Sequence, residues 1–140
     1  MKVTRFDHIT IAVRDLDEAI ETFSRCLRLE PKDRRHVKHQ GIENVFFPFG
    51  DGAIELVAPL QDPEAPDAVR RFLEKKGEGM MNLCLTVENV EESIAHLKEC
   101  GLRLIEHRDA DGDRIAMIHP KDFHGVMIEI RRGKRVIRDA

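Results

Sequence analysis

The feature that most constrains the fold is an internal repeat. The stretches "RFDHITIAVRDLDEA" (residues 5–19) and "EGMMNLCLTVENVEES" (78–93) each read as an apolar strand followed by a capped amphipathic helix. An offset of 74 residues aligns three separated landmarks, namely His8 with Asn82, Asp15 with Asn89 and Glu55 with Glu129. Because repeats of this kind are supersecondary units that bury their apolar faces together, we expect two copies of one module.

The same element order is predicted in both copies. Asp15 with Glu18 and Asn89 with Glu92 have the capping-box spacing of a helix start. Three strand candidates follow each helix, at residues 29–37, 43–49 and 52–58, and again at 102–107, 113–119 and 125–131. We therefore predict an α+β domain in which two tandem βαβββ modules form a curved mixed sheet around a concave site. Its expected parts are module one at about 4–58, a connector at 59–78, module two at about 79–131 and a basic tail at 132–140.

Composition excludes several classes of function. The net charge of −3 and the absence of Trp and Tyr argue against nucleic acid, which favours basic patches and stacking side chains. No apolar run approaches the roughly 20 residues of a membrane span. The three cysteines lack metal-ligand spacing, so we expect buried or inert thiols in a reducing cytoplasm.

The two faces of the predicted strands differ in chemistry. Side chains alternate along a strand, so Ile9 and Ile11 pack on the helix side while His8 points away from it. The landmark residues Glu55, Asn82 and Glu129 share that second face. A carboxylate within an apolar strand is costly to desolvate without a partner. One histidine and two carboxylates on one surface indicate a divalent metal such as zinc, cobalt, manganese or iron.

Two alternatives stay open at this point. If the face is exposed to solvent, the two glutamates are ordinary surface carboxylates. Asn82 also offers only an amide oxygen, so the metal would be weakly held, or His39 or His124 would substitute, or the site would be a hydrogen-bonding pocket.

Four stretches resemble a known family. They are "DHITIAVRDLDEAIETF", "HQGIENVFFPFGDGAIELVAPL", "FLEKKGEGM" and "IAMIHPKDFHGVMIEI". They are similar to the vicinal oxygen chelate (glyoxalase/bleomycin resistance/dioxygenase) superfamily, and within it to the methylmalonyl-CoA epimerases. The resemblance implies an isomerase that removes a proton alpha to a thioester through a metal-stabilised enolate. It further implies a divalent metal (cobalt, zinc, manganese, nickel or iron), an acyl-CoA or other small-molecule substrate, and a homodimer. The alternatives are a glyoxalase-like lyase or isomerase and a metal-poor binding protein of the same fold.

The resemblance also assigns roles to individual positions. Metal ligands fall on His8, Glu55 and Glu129, with Asn82 in place of the family histidine. Glu129 doubles as an acid/base group, and the second catalytic position is His39, where the family has a glutamate before a Gln-Gly or His-Gly pair. The predicted substrate contacts are Gln40, Asn82 and His124. An extradiol dioxygenase is disfavoured because its iron requires a second histidine.

Overall fold

The computed structural model describes residues 1–109 and 111–133, and these residues confirm the predicted α+β class. The order of elements is two βαβββ modules joined by a helix-containing connector. The strands are β1 Val3–Ala12, β2 Lys32–Val37, β3 Ile42–Phe49, β4 Gly52–Pro59, β5 Gly79–Val87, β6 Leu104–Arg108, β7 Arg114–Ile118 and β8 Ile128–Arg132. The helices are α1 Leu16–Leu27, α2 Ala68–Lys76 and α3 Val90–Glu99, with short 3-10 helices at Lys38–Gln40 and Pro120–Asp122. Most of the predicted basic tail lies outside the described residues.

The eight strands form a mixed sheet, and the chain divides into two compact units. The α1 unit comprises residues 9–81 and has the strand order β2-β3-β4-β1. The α3 unit comprises residues 1–8 with 82–133 and has the order β1-β5-β8-β7-β6. Strand β1 therefore contributes its first residues to one unit and its last residues to the other. Strands β5 and β8 run parallel, whereas β3/β4 and β7/β8 are antiparallel pairs.

Helix α1 packs on one face of the strands in its unit. The helix begins where the Asp15 carboxylate accepts a hydrogen bond from the Glu18 backbone N–H at 3.0 Å. Its apolar stripe meets the fully buried Phe47 and Leu56, with Phe23 stacked on Phe47 at 5.8 Å between ring centroids. Truncation of a large aromatic side chain to alanine at this contact is expected to lower the free energy of unfolding by about 3–5 kcal/mol.

Helix α2 of the connector packs on the strands of the α1 unit. Its Val69 and Leu73 are buried against Ala12 and Val57. Those two strand residues belong to the face of the α1 unit that does not meet α1, as the alternation of side chains requires. Helix α2 therefore closes one end of that face.

Helix α3 repeats the arrangement of α1 in its own unit. The Asn89 side chain caps it by accepting from the Glu92 N–H at 2.9 Å. Its apolar stripe packs on Ile128 and Ile130 of β8. Val126 precedes β8, which begins only at Ile128, and is 43% exposed, so it is not part of this packed face.

Two further observations bear on the setting of the protein. No helix among the described residues is long and apolar enough to cross a membrane. All three cysteines are free thiols; Cys84 is buried, as its apolar surroundings in the sequence suggest, whereas Cys26 and Cys100 are exposed.

Candidate functional site

The histidine of β1 is buried and held by a carboxylate. His8 is 3% exposed, and its Nδ1 lies 2.8 Å from Oδ2 of Asp7. Asp7 also accepts a hydrogen bond of 2.7 Å from Arg5. Since an ionised carboxylate only accepts, Nδ1 of His8 is the donor, and the neutral form of the ring carries its lone pair on Nε2. Histidines that bind metals are oriented in this way by an outer carboxylate.

The charge on Asp7 is stabilised by these same contacts. Burial alone raises its pKa, but the hydrogen bonds from His8 and Arg5 and their positive charge outweigh that effect. The pKa of Asp7 is therefore below its usual range. The carboxylate stays ionised at neutral pH and keeps the imidazole in one orientation.

The glutamate of β8 has a thiol as its direct neighbour. Cys84 on β5 pairs in register with Glu129 on β8, so the two side chains lie side by side on the face opposite α3. The Cys84 thiol is fully buried beside the Glu129 carboxylate. Burial raises the pKa of this thiol, and the negative Glu129 raises it further, so Cys84 is neutral at physiological pH.

The positive charge of Arg131 partly balances the Glu129 carboxylate on β8. Nη1 of Arg131 lies 3.8 Å from Oε2 of Glu129, and Nη2 of Arg131 donates to Asp109 at 2.7 Å. Glu129 is 9% exposed. A carboxylate that is buried to this extent and bounded by fixed neighbours has a defined orientation, which a general base requires.

Asn82 lies on the same strand and face as Cys84. It is 8% exposed and is two residues earlier on β5, so its side chain points to the same side of the sheet. Thr4 and Thr86, whose hydroxyl oxygens are 2.8 Å apart, show that the even-numbered side chains of β1 and β5 share this face. His8, Asn82, Cys84 and Glu129 are thus buried on one face of the α3 unit.

A metal could use part of this group. Ligand atoms of Asp7, His8 and Cys84 all lie within 4.8 Å of one another. Imidazole nitrogen and thiolate sulfur suit zinc or cobalt. The donor chemistry therefore fits a divalent cation, with the Asp7 carboxylate already engaged in orienting His8.

Glu55 is held in an equivalent way in the α1 unit. Thr10 donates to its Oε1 at 2.7 Å, and the Asn44 amide donates to its Oε2 at 2.8 Å. Thr10 precedes Cys84 by the same 74 residues that separate Glu55 from Glu129. The offset read from the sequence is therefore reproduced in the contacts of each glutamate. The combined action of Glu55 with the residues of the α3 unit stays a prediction.

The predicted base His39 lies in the α1 unit within a tight turn. His39 and Gln40 are both exposed in the 3-10 helix Lys38–Gln40. Gly41 ends this helix with a φ of +68°, and a Cβ there would lie 2.0 Å from the carbonyl oxygen of Pro66. The glycine after Gln40 is therefore required by the backbone, independently of any role of His39 in chemistry.

The predicted substrate contact His124, and two other polar residues, His119 and Arg34, have simpler surroundings. His124 is exposed, has a left-handed φ of 55° and lies edge-on to Phe123 at 6.5 Å. His119 has a structural role, since its Nδ1 accepts from the Lys121 N–H at 3.1 Å. Arg34 pairs with Asp17 at 2.6 Å.

Sequence reasoning missed two members of the buried group. Asp7 could have been found, because it directly precedes His8 in the strand and a carboxylate is the usual partner of a ligand histidine. Cys84 was expected, with the other two cysteines, to be a buried or inert thiol because the three lack metal-ligand spacing.

Comparison with known proteins agrees with this architecture. Residues 7–117 match the Glyoxalase/Bleomycin resistance protein/Dioxygenase superfamily. The chain is 31% identical over 131 residues to the uncharacterized protein YqjC of Bacillus subtilis, covering 91% of each chain. It is 30% identical over 132 residues to human mitochondrial methylmalonyl-CoA epimerase, covering 91% of this chain and 73% of that one.

A solved structure extends the similarity to the fold. The methylmalonyl-CoA epimerase of Mycobacterium tuberculosis superposes with a TM-score of 0.81 at 34% identity, covering 94% of this chain and 89% of that one. The residues matched to the family cover module one and most of module two, including every residue of the buried group except Glu129 on β8. The chain therefore belongs to the glyoxalase/bleomycin resistance protein/dioxygenase superfamily.

Proposed function

We propose that the protein is an epimerase-type isomerase that acts on methylmalonyl-CoA or a similar acyl-CoA. The similarity to methylmalonyl-CoA epimerases over most of the chain supports the class of reaction. The observation that carries the proposal is the buried carboxylate of Glu129, which lies beside Cys84 on the face that also bears His8. An enolisation needs a positioned base of this kind.

The proposed reaction is a proton exchange at the carbon between a thioester and a carboxylate. Glu129 accepts the proton, and the electron pair of the C–H bond moves into the enolate of the substrate. Return of a proton to the opposite face gives the other epimer, so no redox partner is needed. His39 is the proposed second base and Gln40 and His124 the proposed substrate contacts.

His8 and Glu129 would hold a divalent metal, with Glu55 as a further proposed ligand; the candidates are cobalt, zinc, manganese, nickel and iron. Such an ion, when bound, supplies Lewis-acid stabilisation of negative charge on the substrate oxygens. The role of the chain is to present the ring nitrogen of His8 in a fixed orientation, which Asp7 and Arg5 do. Homodimerisation in a reducing cytoplasm completes the proposal, and light scattering of the purified protein measures the oligomer.

Exchange of substrate hydrogen with solvent tests the function directly. The wild-type protein, incubated with methylmalonyl-CoA in deuterium oxide, should incorporate deuterium at the alpha carbon. Glu129→Gln should abolish that exchange while circular dichroism shows an unchanged fold. Glu74→Gln, a change of an exposed residue on α2, is the matched control and should exchange normally. Normal exchange by Glu129→Gln would show that another group is the base.

A metal-poor binding protein is the second candidate, and Asn82 is the observation that favours it. An amide oxygen is a weaker ligand than the imidazole expected at that position. Metal analysis paired with the exchange assay separates the two candidates. Tight acyl-CoA binding without metal and without exchange would establish the binding protein, and exchange would exclude it.

A further inference from the structure

Strand β5 lacks the expected histidine but has a thiol two residues later on the same face. We propose that Cys84, as a thiolate, is the ligand that β5 provides to the metal. The ligands that the cluster itself supplies would then be His8 and Cys84, with Glu129, which lies outside the 4.8 Å cluster, as a further proposed ligand. This inference rests on the proposed function only in requiring that a metal binds.

The distances place Cys84 within reach of a shared ion. Ligand atoms of Asp7, His8 and Cys84 lie within 4.8 Å of one another. In a tetrahedral zinc site the metal–sulfur distance is about 2.3 Å and the metal–nitrogen distance about 2.0–2.1 Å, so sulfur and nitrogen are roughly 3.6 Å apart. The observed separation between the Cys84 sulfur and a ring nitrogen of His8 is at most 4.8 Å, which exceeds that ligand distance by no more than about 1.2 Å.

The other members of the group have identifiable roles around such an ion. Asp7 accepts from Arg5 and His8, so it acts as the partner that orients the imidazole and not as the third ligand. Glu129 is the register neighbour of Cys84 on the adjacent strand. Binding replaces the S–H bond of Cys84 with a metal–sulfur bond, and the proton passes to solvent.

A thiolate ligand changes which metals the site prefers. Sulfur favours zinc, cobalt and cadmium, whereas manganese and magnesium prefer oxygen ligands. The burial of Cys84 supports this use, since a fully buried thiolate is shielded from oxidants. The site should therefore bind cobalt and cadmium tightly and manganese weakly.

A purely positioning role for Cys84 predicts a different result. In that case the thiol only holds Glu129, and its loss weakens metal binding by the roughly 10–100-fold typical of an outer partner. No sulfur–metal bond would form, so the spectrum of the bound metal would contain no thiolate signal. Spectroscopy therefore distinguishes a ligand from a positioning residue.

The experiment uses the full chain with Cys84 as its single thiol. Cys26→Ser with Cys100→Ser removes the two exposed cysteines, including the surface pair in which Cys100 Sγ lies 3.6 Å from His96 Nε2. Titration with cobalt chloride should produce the near-ultraviolet charge-transfer band of a cobalt–thiolate bond. Adding Cys84→Ser should abolish the band and lower cobalt affinity by more than about 100-fold, while manganese affinity changes little.

Each outcome decides the proposal. Cobalt binding with visible ligand-field bands but no charge-transfer band would overturn Cys84 as a ligand and leave the proposed function intact. Failure to bind cobalt at all would also overturn it, and the exchange assay would still decide whether the protein is an epimerase. Cys84→Ala serves as the second variant if circular dichroism shows that Cys84→Ser is misfolded.

Discussion

Replacement of Asp7 by asparagine tests the buried contact that orients His8. The carboxylate is 4% exposed and accepts two hydrogen bonds, at 2.7 Å from Arg5 and 2.8 Å from His8. Asparagine keeps the size of the side chain but removes the charge. Hydrogen bonds to charged groups contribute about 1.5–3 kcal/mol and neutral ones about 0.5–1.5, so two weakened bonds cost about 2–3 kcal/mol.

The partial exposure of Arg5 keeps the loss of stability in Asp7→Asn below the range that is typical of broken buried ion pairs. Breaking a buried ion pair typically costs about 3–5 kcal/mol because a charge is left without a partner. The Arg5 side chain is 27% exposed, so water can solvate it in the variant. We therefore expect about 2–3 kcal/mol of destabilisation at pH 7.

The effect of Asp7→Asn should depend on pH with a definite sign. The pKa of Asp7 is lower in the folded protein than in the unfolded chain, where it is about 3.9. Its contribution to stability is therefore fully present above about pH 4 and is lost as the pH falls through the folded value. The difference in stability between wild type and variant should shrink on acidification.

Urea unfolding at pH 7 and pH 3 measures this effect. With an m-value of about 1–3 kcal/mol/M, the midpoint of the variant at pH 7 should fall by roughly 1 M or more. Asp122→Asn is the matched control, since Asp122 also pairs with an arginine, Arg103, but at the exposed surface, where such pairs contribute less. Equal midpoint shifts for the two variants, or a shift at Asp7 that is independent of pH, would refute the reasoning.

Three further predictions concern the repeat and the site. Asn82→His should raise the affinity for divalent metal in a titration; unchanged affinity would mean that position 82 does not contact the metal. Asp15→Ala and Asn89→Ala, which remove equivalent helix caps, should each lower the free energy of unfolding by about 1 kcal/mol; very different losses in urea unfolding would show that the two helix starts are not equivalent in energy. Gly41→Ala should lower the melting temperature far more than Gly50→Ala, because both have positive φ but only Gly41 lacks space for a Cβ; equal shifts would locate the cost in the backbone alone.

The repeat, the caps and the helix-facing residues were predictable from the sequence because they depend on local periodicity. The hydrogen bonds at Asp15 and Asn89 follow from a residue and its neighbour three positions later. The packing of Ile128 and Ile130 on α3 follows from strand alternation once the strand is identified. The 74-residue offset also predicted that Glu55 and Glu129 have equivalent places in their units.

The partners of the buried polar groups depended on the tertiary structure. The contact between Cys84 and Glu129 requires the parallel register of β5 and β8, which joins residues 45 positions apart. The burial of Val69 and Leu73 likewise requires that α2 returns to the strands of its unit. The sequence by itself determined which side chains are apolar, capped or repeated, since those properties are local. Which thiol adjoins Glu129 was decided by long-range strand pairing, because only the folded chain places β5 beside β8.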